Sequence, residues 1–220
     1  MSVTKQDVLK AHMHIGNIKK LASTKTRSFW LDIKNGLVII DPEKIATQLD
    51  KAKVKFQEAK KAGKEILVIC EKSLYSDEIA LMGTTGGFHY LNYKVPAGFL
   101  TNFDTLITRI RGMNELRSFI ESEDFHKLTK KEQLTEQRKL KKVEMIYKGV
   151  KNLKKRPDLV IVVDGKSMMK FVRELDKTGL DNIVIASTNF DTRWNKDNLV
   201  VANVDSYQSL DFGLSYILNA

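Results

Sequence analysis

The chain is poor in the residues that build covalent or membrane-bound architectures. One cysteine, Cys70, stands among 220 residues. No disulfide can form within the chain, and a cysteine ending an apolar run reads as a buried, reduced core thiol. Prolines number three, and no repeat or low-complexity segment marks a linker. The longest apolar runs are about five residues, as in Leu159-Val160-Ile161-Val162-Val163, against the roughly 20 that a membrane helix needs. The start, Met1-Ser2-Val3-Thr4-Lys5-Gln6-Asp7, has neither the apolar core of a signal peptide nor the Arg-rich character of a transit peptide, so a cytoplasmic chain without a membrane partner is expected. His12 and His14 lack a CxxC or a carboxylate partner at ligand spacing, so no metal site is expected. No Ser, Cys or Lys has an evident base partner in sequence. Neither cofactor nor small-molecule substrate is anticipated.

What is present is a hydrophobic fraction of 42% and a net charge of +10. That composition suits one domain with a buried core plus an insertion. The charge is unevenly placed. Residues 104–156 hold 15 Lys and Arg against 8 Asp and Glu, and residues 1–36 hold 7 against 2. The remainder holds 15 against 17. Positive charge gathered on an N-terminal arm and one inserted segment is the footprint of a polyanion-binding surface. A solvated Lys-rich face is the alternative for either element alone.

Taken in order, residues 4–11 read as a short helix capped by Thr4, followed by a basic polar loop. Phe29-Trp30-Leu31 and Leu37-Val38-Ile39-Ile40 flank Asn35-Gly36, a strong hairpin signal because both positions of a type I′ turn need positive φ. Asp41 caps a helix with Pro42 at its first position, ending near Gly63. Strands at 66–70, 88–91, 159–163, 183–186 and 199–202 alternate with helices at 74–82, 167–177 and 207–218. Short, nearly all-apolar strands in this alternation imply an α/β fold whose parallel sheet is covered by helices on both faces.

Between the third and fourth of these regions lies a different pattern. Leu106, Ile110, Met113, Leu116 and Ile120 recur at helical spacing. A polar bend follows, and then Thr129 and Glu132 form a capping-box signature. Leu140, Val143, Tyr147 and Val150 continue at steps of three and four. The expectation is an antiparallel coiled-coil hairpin with a narrow apolar seam, inserted as residues 104–156 into an α/β body of residues 1–103 and 157–220.

Several short motifs invite chemical readings. Asp164-Gly165-Lys166-Ser167 resembles the end of a P-loop, but position 160 is Val where that loop needs Gly, so the P-loop reading fails. Gly83, Gly86 and Gly87 fall between helix and strand, the reverse of a dinucleotide fingerprint, and read as a helix C-cap and tight turn. Asp41 and Asp164 each end an apolar run, as phosphoacceptor carboxylates do, or serve as a helix cap and a turn. Lys19, Lys20, Lys25 and Arg27, set among Ser23, Thr24, Thr26 and Ser28, suit phosphate contact. Arg109 and Arg111, with Asn102, lie at the hairpin base, where a guanidinium fork can bridge phosphates. Aromatics are not interleaved with these bases, which favours gripping folded RNA by its backbone over stacking on single strands.

Laid out in full, the chain resembles the bacterial-type small ribosomal subunit protein S-two family over nearly its whole length. The matching stretches are Val8–Gly16 (VLKAHMHIG), Asn35-Gly36 leading to Ile39-Ile40-Asp41, Gly98–Phe103 (GFLTNF), Leu128–Glu132 (LTKKE), Pro157-Asp158-Leu159 with Val162-Val163-Asp164, and Ser187–Asp191 (STNFD). The resemblance implies a flavodoxin-like sheet with a protruding helical hairpin and no catalysis. It implies binding to 16S ribosomal RNA near the head–body junction, and docking of the large mRNA-binding protein among neighbouring small-subunit proteins. The candidate RNA-contacting set is then His14, Asn17, Lys19, Lys20, Lys25, Arg27, Lys94, Asn102, Arg109 and Arg111. The chain departs from the family pattern at Lys94-Val95-Pro96-Ala97-Gly98, where Arg-Trp-Leu-Gly-Gly is usual, and at Asn17, where His is frequent.

Overall fold

A computed structural model describes residues 3–195 and 197–219. The first helix, α1 (Lys5–Lys10), is closed by a capping box in which Thr4 and Asp7 bond reciprocally. Next come β1 (Ile15–Ile18), a 3-10 helix over Thr24–Phe29, β2 (Trp30–Lys34) and β3 (Leu37–Ile40). These strands form a separate antiparallel sheet in the order β1-β3-β2. Asn35 and Gly36 both carry positive φ, 50° and 77°, as the two-residue hairpin between β2 and β3 requires. The third strand, β1, lies inside what the sequence suggests is loop. At four residues it is too short to show a clear alternation.

Asp41 accepts from Glu43 N–H at 3.0 Å and starts α2 (Pro42–Lys61). Ile45, Leu49, Ala52, Phe56 and Ala59 recur on its buried face. The chain continues through β4 (Ile66–Ile69), α3 (Ser76–Gly86) and β5 (His89–Leu91). Then come α4 (Phe103–Ile120), the single turn α5 (Glu123–His126) and α6 (Lys130–Tyr147). It closes with β6 (Leu159–Val163), α7 (Met169–Thr178), β7 (Asp181–Ala186), β8 (Leu199–Val201) and α8 (Tyr207–Leu218). The five later strands pair in parallel in the order β5-β4-β6-β7-β8. Counted from β4, that is the flavodoxin-like order 2-1-3-4-5. The chain steps one way from β4 to β5 and the other way from β5 to β6, and right-handed crossovers then place helices on both faces. The strands are buried almost throughout, which explains their continuous apolar runs.

Two expectations need correction. Gly83 does not cap a helix. It lies inside α3, and the expected glycine C-cap is Gly87, in the left-handed conformation; at Gly83 a Cβ would overlap the Tyr90 ring. The other side of Tyr90 is closed by Gly149, where a Cβ would overlap the Tyr90 carbonyl oxygen and ring. Glycine is thus demanded by close approach to β5 rather than by a turn.

The second correction concerns α4, which is no narrow-seamed helix at its base. Phe103, Leu106, Ile110 and Met113 are buried in the same apolar core as the sheet, joined there by Tyr147, Val150 and Leu153. Past Met113 only partial burial remains, until Phe125 (4% exposed) packs edge-on against Phe119. Asn114 bonds to the Lys151 carbonyl, Arg117 to Glu144, and Gln133 to the Phe125 carbonyl. Position rises on one limb as it falls on the other, so α4 and α6 run antiparallel.

Gly149→Ala is expected to lower unfolding free energy by about 2 kcal/mol, since backbone must move to admit the methyl group. Gly112→Ala, in α4 with open space around it, should instead raise stability by about 0.5–1 kcal/mol. Urea unfolding of the two variants beside the parent checks both signs.

Candidate nucleic-acid interface

The basic arm is held by one residue at the carboxyl end of β7. Thr188 is fully buried. Its hydroxyl accepts from Asn17 N–H at 2.9 Å and donates to Asn17 Oδ1 at 3.1 Å. Its carbonyl accepts from Ser23 N–H at 2.7 Å and from the Thr26 hydroxyl at 2.9 Å. Gly16 allows this approach, because a Cβ there would come within 2.7 Å of Thr188 Cγ2. Trp30 Nε1 donates to the Thr26 hydroxyl at 3.0 Å, and the Lys25 carbonyl accepts from Thr192 Oγ1 at 3.2 Å. The expected polar loop is therefore a pinned 3-10 helix. Thr26 faces inward, so its hydroxyl serves the fold and not a phosphate, as does the Asn17 side-chain oxygen.

With Thr26 turned in, its neighbours Lys25 and Arg27 turn out, and Lys19 and Lys20 are exposed beyond β1. The Arg27 guanidinium lies 5.7 Å from the Trp30 ring centroid, which restrains it without neutralising it. His12 bonds to Gln208 at 2.8 Å, away from His14, so the two imidazoles do not converge. Burial, with the nearby His12 acting in the same direction, lowers the pKa of His14. This partly buried ring stays neutral at neutral pH.

Beside the first half of α4, Ile107, Ile110, Arg111, Asn114, Lys151, Asn152, Leu153 and Lys154 line an open groove of about 450 Å³. Three cations and no carboxylate border it. Lys151 and Lys154 were not singled out from sequence, where they merge into the Lys-rich run 151–156; only the return of the chain beside α4 brings them opposite Arg111. Arg109 is exposed on α4 but lines no part of this groove, being two residues away on a helix. Asn102 forms the exposed N-cap of α4 without a side-chain cap bond. Lys94 is exposed in the loop after β5 and joins neither cluster. The arm sits at the carboxyl end of the parallel sheet, whereas residues 151–158 lead into the amino end of β6. The two basic elements therefore stand at opposite ends of the sheet.

The acidic candidates have structural tasks. Asp41 caps α2 and pairs with Lys44. Asp164, with φ 62° and 5% exposure, lies after β6 beside β4, the switch point where open α/β sheets bind ligands. There Lys72 Nζ sits 2.9 Å from Asp164 and 2.6 Å from Asp205, and Ser167 Oγ donates to Asp164 at 2.7 Å. Burial alone would raise the Asp164 pKa, but the bonds from Lys72 and Ser167 outweigh it and hold the carboxyl below its ordinary value. An internal ammonium thus occupies the crevice. Among the described residues no cluster of three metal-ligating side chains occurs, and no helix is long and apolar enough to cross a membrane.

A doubly wound sheet with its crevice filled by its own lysine, and with cations displayed on two extensions, defines a binding scaffold of the α/β class. Its family follows from comparison with known proteins: the model of the family described as ribosomal protein S2 matches residues 8–220, and the chain belongs to that family, one of structural ribosomal components and not enzymes. It is 33% identical over 218 residues to the small ribosomal subunit protein uS2 of Coprothermobacter proteolyticus, covering 99% of this chain and 81% of that one. It is 32% identical over 219 residues to uS2c of Mesostigma viride, covering 100% and 96%. To uS2 of a Picosynechococcus species it is 28% identical over 208 residues, covering 94% and 81%.

Thr188→Val should cost about 1–3 kcal/mol by leaving Asn17 unpaired. Hydrogen exchange should quicken across residues 15–30 and hardly change in β4 and β6. Asp164→Asn tests the ion pair through pH. A native pKa below the unfolded one contributes stability that is full above pH of about 4 and fades as pH falls through the native value. The variant should be less stable by about 2 kcal/mol at pH 7, with the gap closing at pH 3 in urea titrations.

Proposed function

We propose that this chain is a structural constituent of the small ribosomal subunit in the cytoplasm. In this reading it grips 16S ribosomal RNA near the head–body junction and helps dock the large mRNA-binding protein of the same subunit. The observation that carries the reading is electrostatic. Among the described residues none of Lys19, Lys20, Lys25, Arg27, Lys94, Arg109 and Arg111 has a carboxylate within 4.0 Å, although Arg117, Lys127 and Lys139 of the inserted segment and Lys155 at its return do. Cations held out to water without internal partners keep their charge for a polyanion. Family membership supplies the context, since the relatives are named as small-subunit proteins.

In this reading residues 104–156 act as a coiled-coil hairpin carried by a body of residues 1–103 and 157–220. Lys151, Lys154 and Arg111 receive a phosphate run in the groove at its root. Lys25 and Arg27, with Lys19 and Lys20, meet a second RNA segment at the far end of the sheet. Asn102, Asn17 and His14 offer hydrogen bonds instead of charge.

Sucrose-gradient sedimentation of a native lysate should place the chain with 30S particles, and its absence from them would overturn the reading. Affinity for 16S RNA should fall with salt by about 0.7–0.9 log units per log unit for each phosphate contacted. Lys151→Glu with Lys154→Glu should flatten that slope by about 2 and weaken binding to all sequences alike. An unchanged slope would remove the groove from the interface.

A further inference from the structure

In a chain with 37 Lys and Arg, residues 73–93 contain none, and neither do residues 197–220. The fold brings these two cation-free segments together. Tyr75, on the turn before α3, packs its ring 5.5 Å from that of Tyr207 at the start of α8 and donates its hydroxyl to Asp211 at 2.9 Å. Tyr207 in turn donates to Glu78 at 3.0 Å. Tyr75, Ile79 and Gly83 form the buried stripe of this region. The opposite stripe faces solvent, and it is not polar: Leu74 is 48% exposed, Leu81 66% and Tyr207 41%. Asp77 lies exposed between the leucines without a hydrogen bond or ion pair among the described residues. Glu78 has a tyrosine as its partner and no cation. Lys72, just before this segment in the chain, is already committed to Asp164 and Asp205.

Resting on the reading of this chain as a ribosomal component, we infer that the face formed by Leu74, Asp77, Glu78, Leu81 and Tyr207 docks a Lys/Arg-rich segment of a neighbouring protein. Charge chooses the class of partner. Carboxylates without counter-ions repel a phosphate backbone, so RNA is turned away from this exposed apolar surface. Leu74, on the 3-10 turn before α3, and Leu81, on α3, are the exposed apolar groups that flank Asp77 and Glu78 in the chain. Tyr207 adds a ring whose hydroxyl is already satisfied. Basic side chains of the partner would straddle the anchor and reach Asp77 and Glu78. A second copy of this chain would meet the charge requirement through its arm, its inserted segment or the Lys-bearing face of α2, so an adduct with a second copy is one of the outcomes that overturn the inference.

The test places benzoylphenylalanine at Leu81, and separately at Leu74, in the full chain expressed in its host, followed by irradiation of purified 30S particles. The expected adduct is a polypeptide whose attached peptide carries net positive charge. Its yield should drop about tenfold with Asp77→Lys, a change that touches no internal partner, and further with Glu78→Lys added. An adduct with RNA, with a second copy of this chain or with an acidic peptide would overturn the inference. So would a yield no greater than that from the same probe at Val54, which is 52% exposed on α2, or a yield indifferent to Asp77→Lys. Each of these results is read with the chain still sedimenting at 30S. Loss of sedimentation in the unmodified chain would instead overturn the ribosomal reading beneath it.

Discussion

The three-stranded sheet is built of four- and five-residue strands, and the place of the arm depends on what it can bond to. Thr188 meets that need with both its hydroxyl and its carbonyl, in a site with no water to compete. Four hydrogen bonds to one buried residue fix β1, the 3-10 helix and Trp30 at once. Because Thr26 is spent on this anchor, the residues on either side of it must face outward, and those are Lys25 and Arg27. The direction of two cations follows from the burial of one hydroxyl between them. A polar residue in the core here specifies geometry more than it adds stability, since a net hydrogen bond is worth only about 1 kcal/mol.

The helical segment solves a different problem. Crossing from β5 to β6 over β4 requires a helix that covers the sheet, and the first half of α4 does so with Phe103, Leu106, Ile110 and Met113. The second half and α6 have too little apolar surface to be held by the body. Beyond Tyr147, which joins the core, they are held by each other through Arg117 with Glu144, while Phe119 on Phe125 ties α4 to α5. One continuous helix is therefore core at its root and surface at its tip. Rigid attachment matters at this groove, because Arg111 and Lys154 are kept beside one another against their mutual repulsion. Asn114, bonded to the Lys151 carbonyl, is the strut that does this.

Much of this was legible in the residues. Parallel strands announce themselves because burial on both faces leaves no polar position, as in Leu159–Val163. Thr129 with Glu132 marks a helix start because the two side chains satisfy each other's backbone amides, and the structure has that capping box. Other features were hidden for physical reasons. β1 is too short to show a period, and its partner β3 lies twenty residues on. Gly83 and Gly149 look like turn residues, yet each is small because Tyr90 fills the space where a side chain would be, a fact of tertiary packing. The α4 stripe looks narrow because its root and its tip face different surroundings, and averaging over both conceals the buried half. Lys151 and Lys154 had the right chemistry, but a charge count cannot say which lysines face one another. The pairing of Lys72 with Asp164 spans ninety-two positions and leaves no local trace.

That pair also explains why an open α/β sheet with an aspartate at its switch point need not be an enzyme. The crevice at the carboxyl ends of β4 and β6 is generated by topology whether or not a ligand is wanted, and it exposes strand ends and an orphaned turn. Lys72 spans it, reaching Asp164 from one loop and Asp205 from another, and so draws the α8 segment against the β4 loop. Its charge is consumed in doing so. The neighbouring α3–α8 face is without a cation because no Lys or Arg lies in residues 73–93 or 197–220. The lysine that closes the crevice and the cation-free surface beside it are two features of the sequence that meet at Lys72. The molecule is divided into cationic extensions and an acidic, partly apolar flank, and the division runs through Lys72.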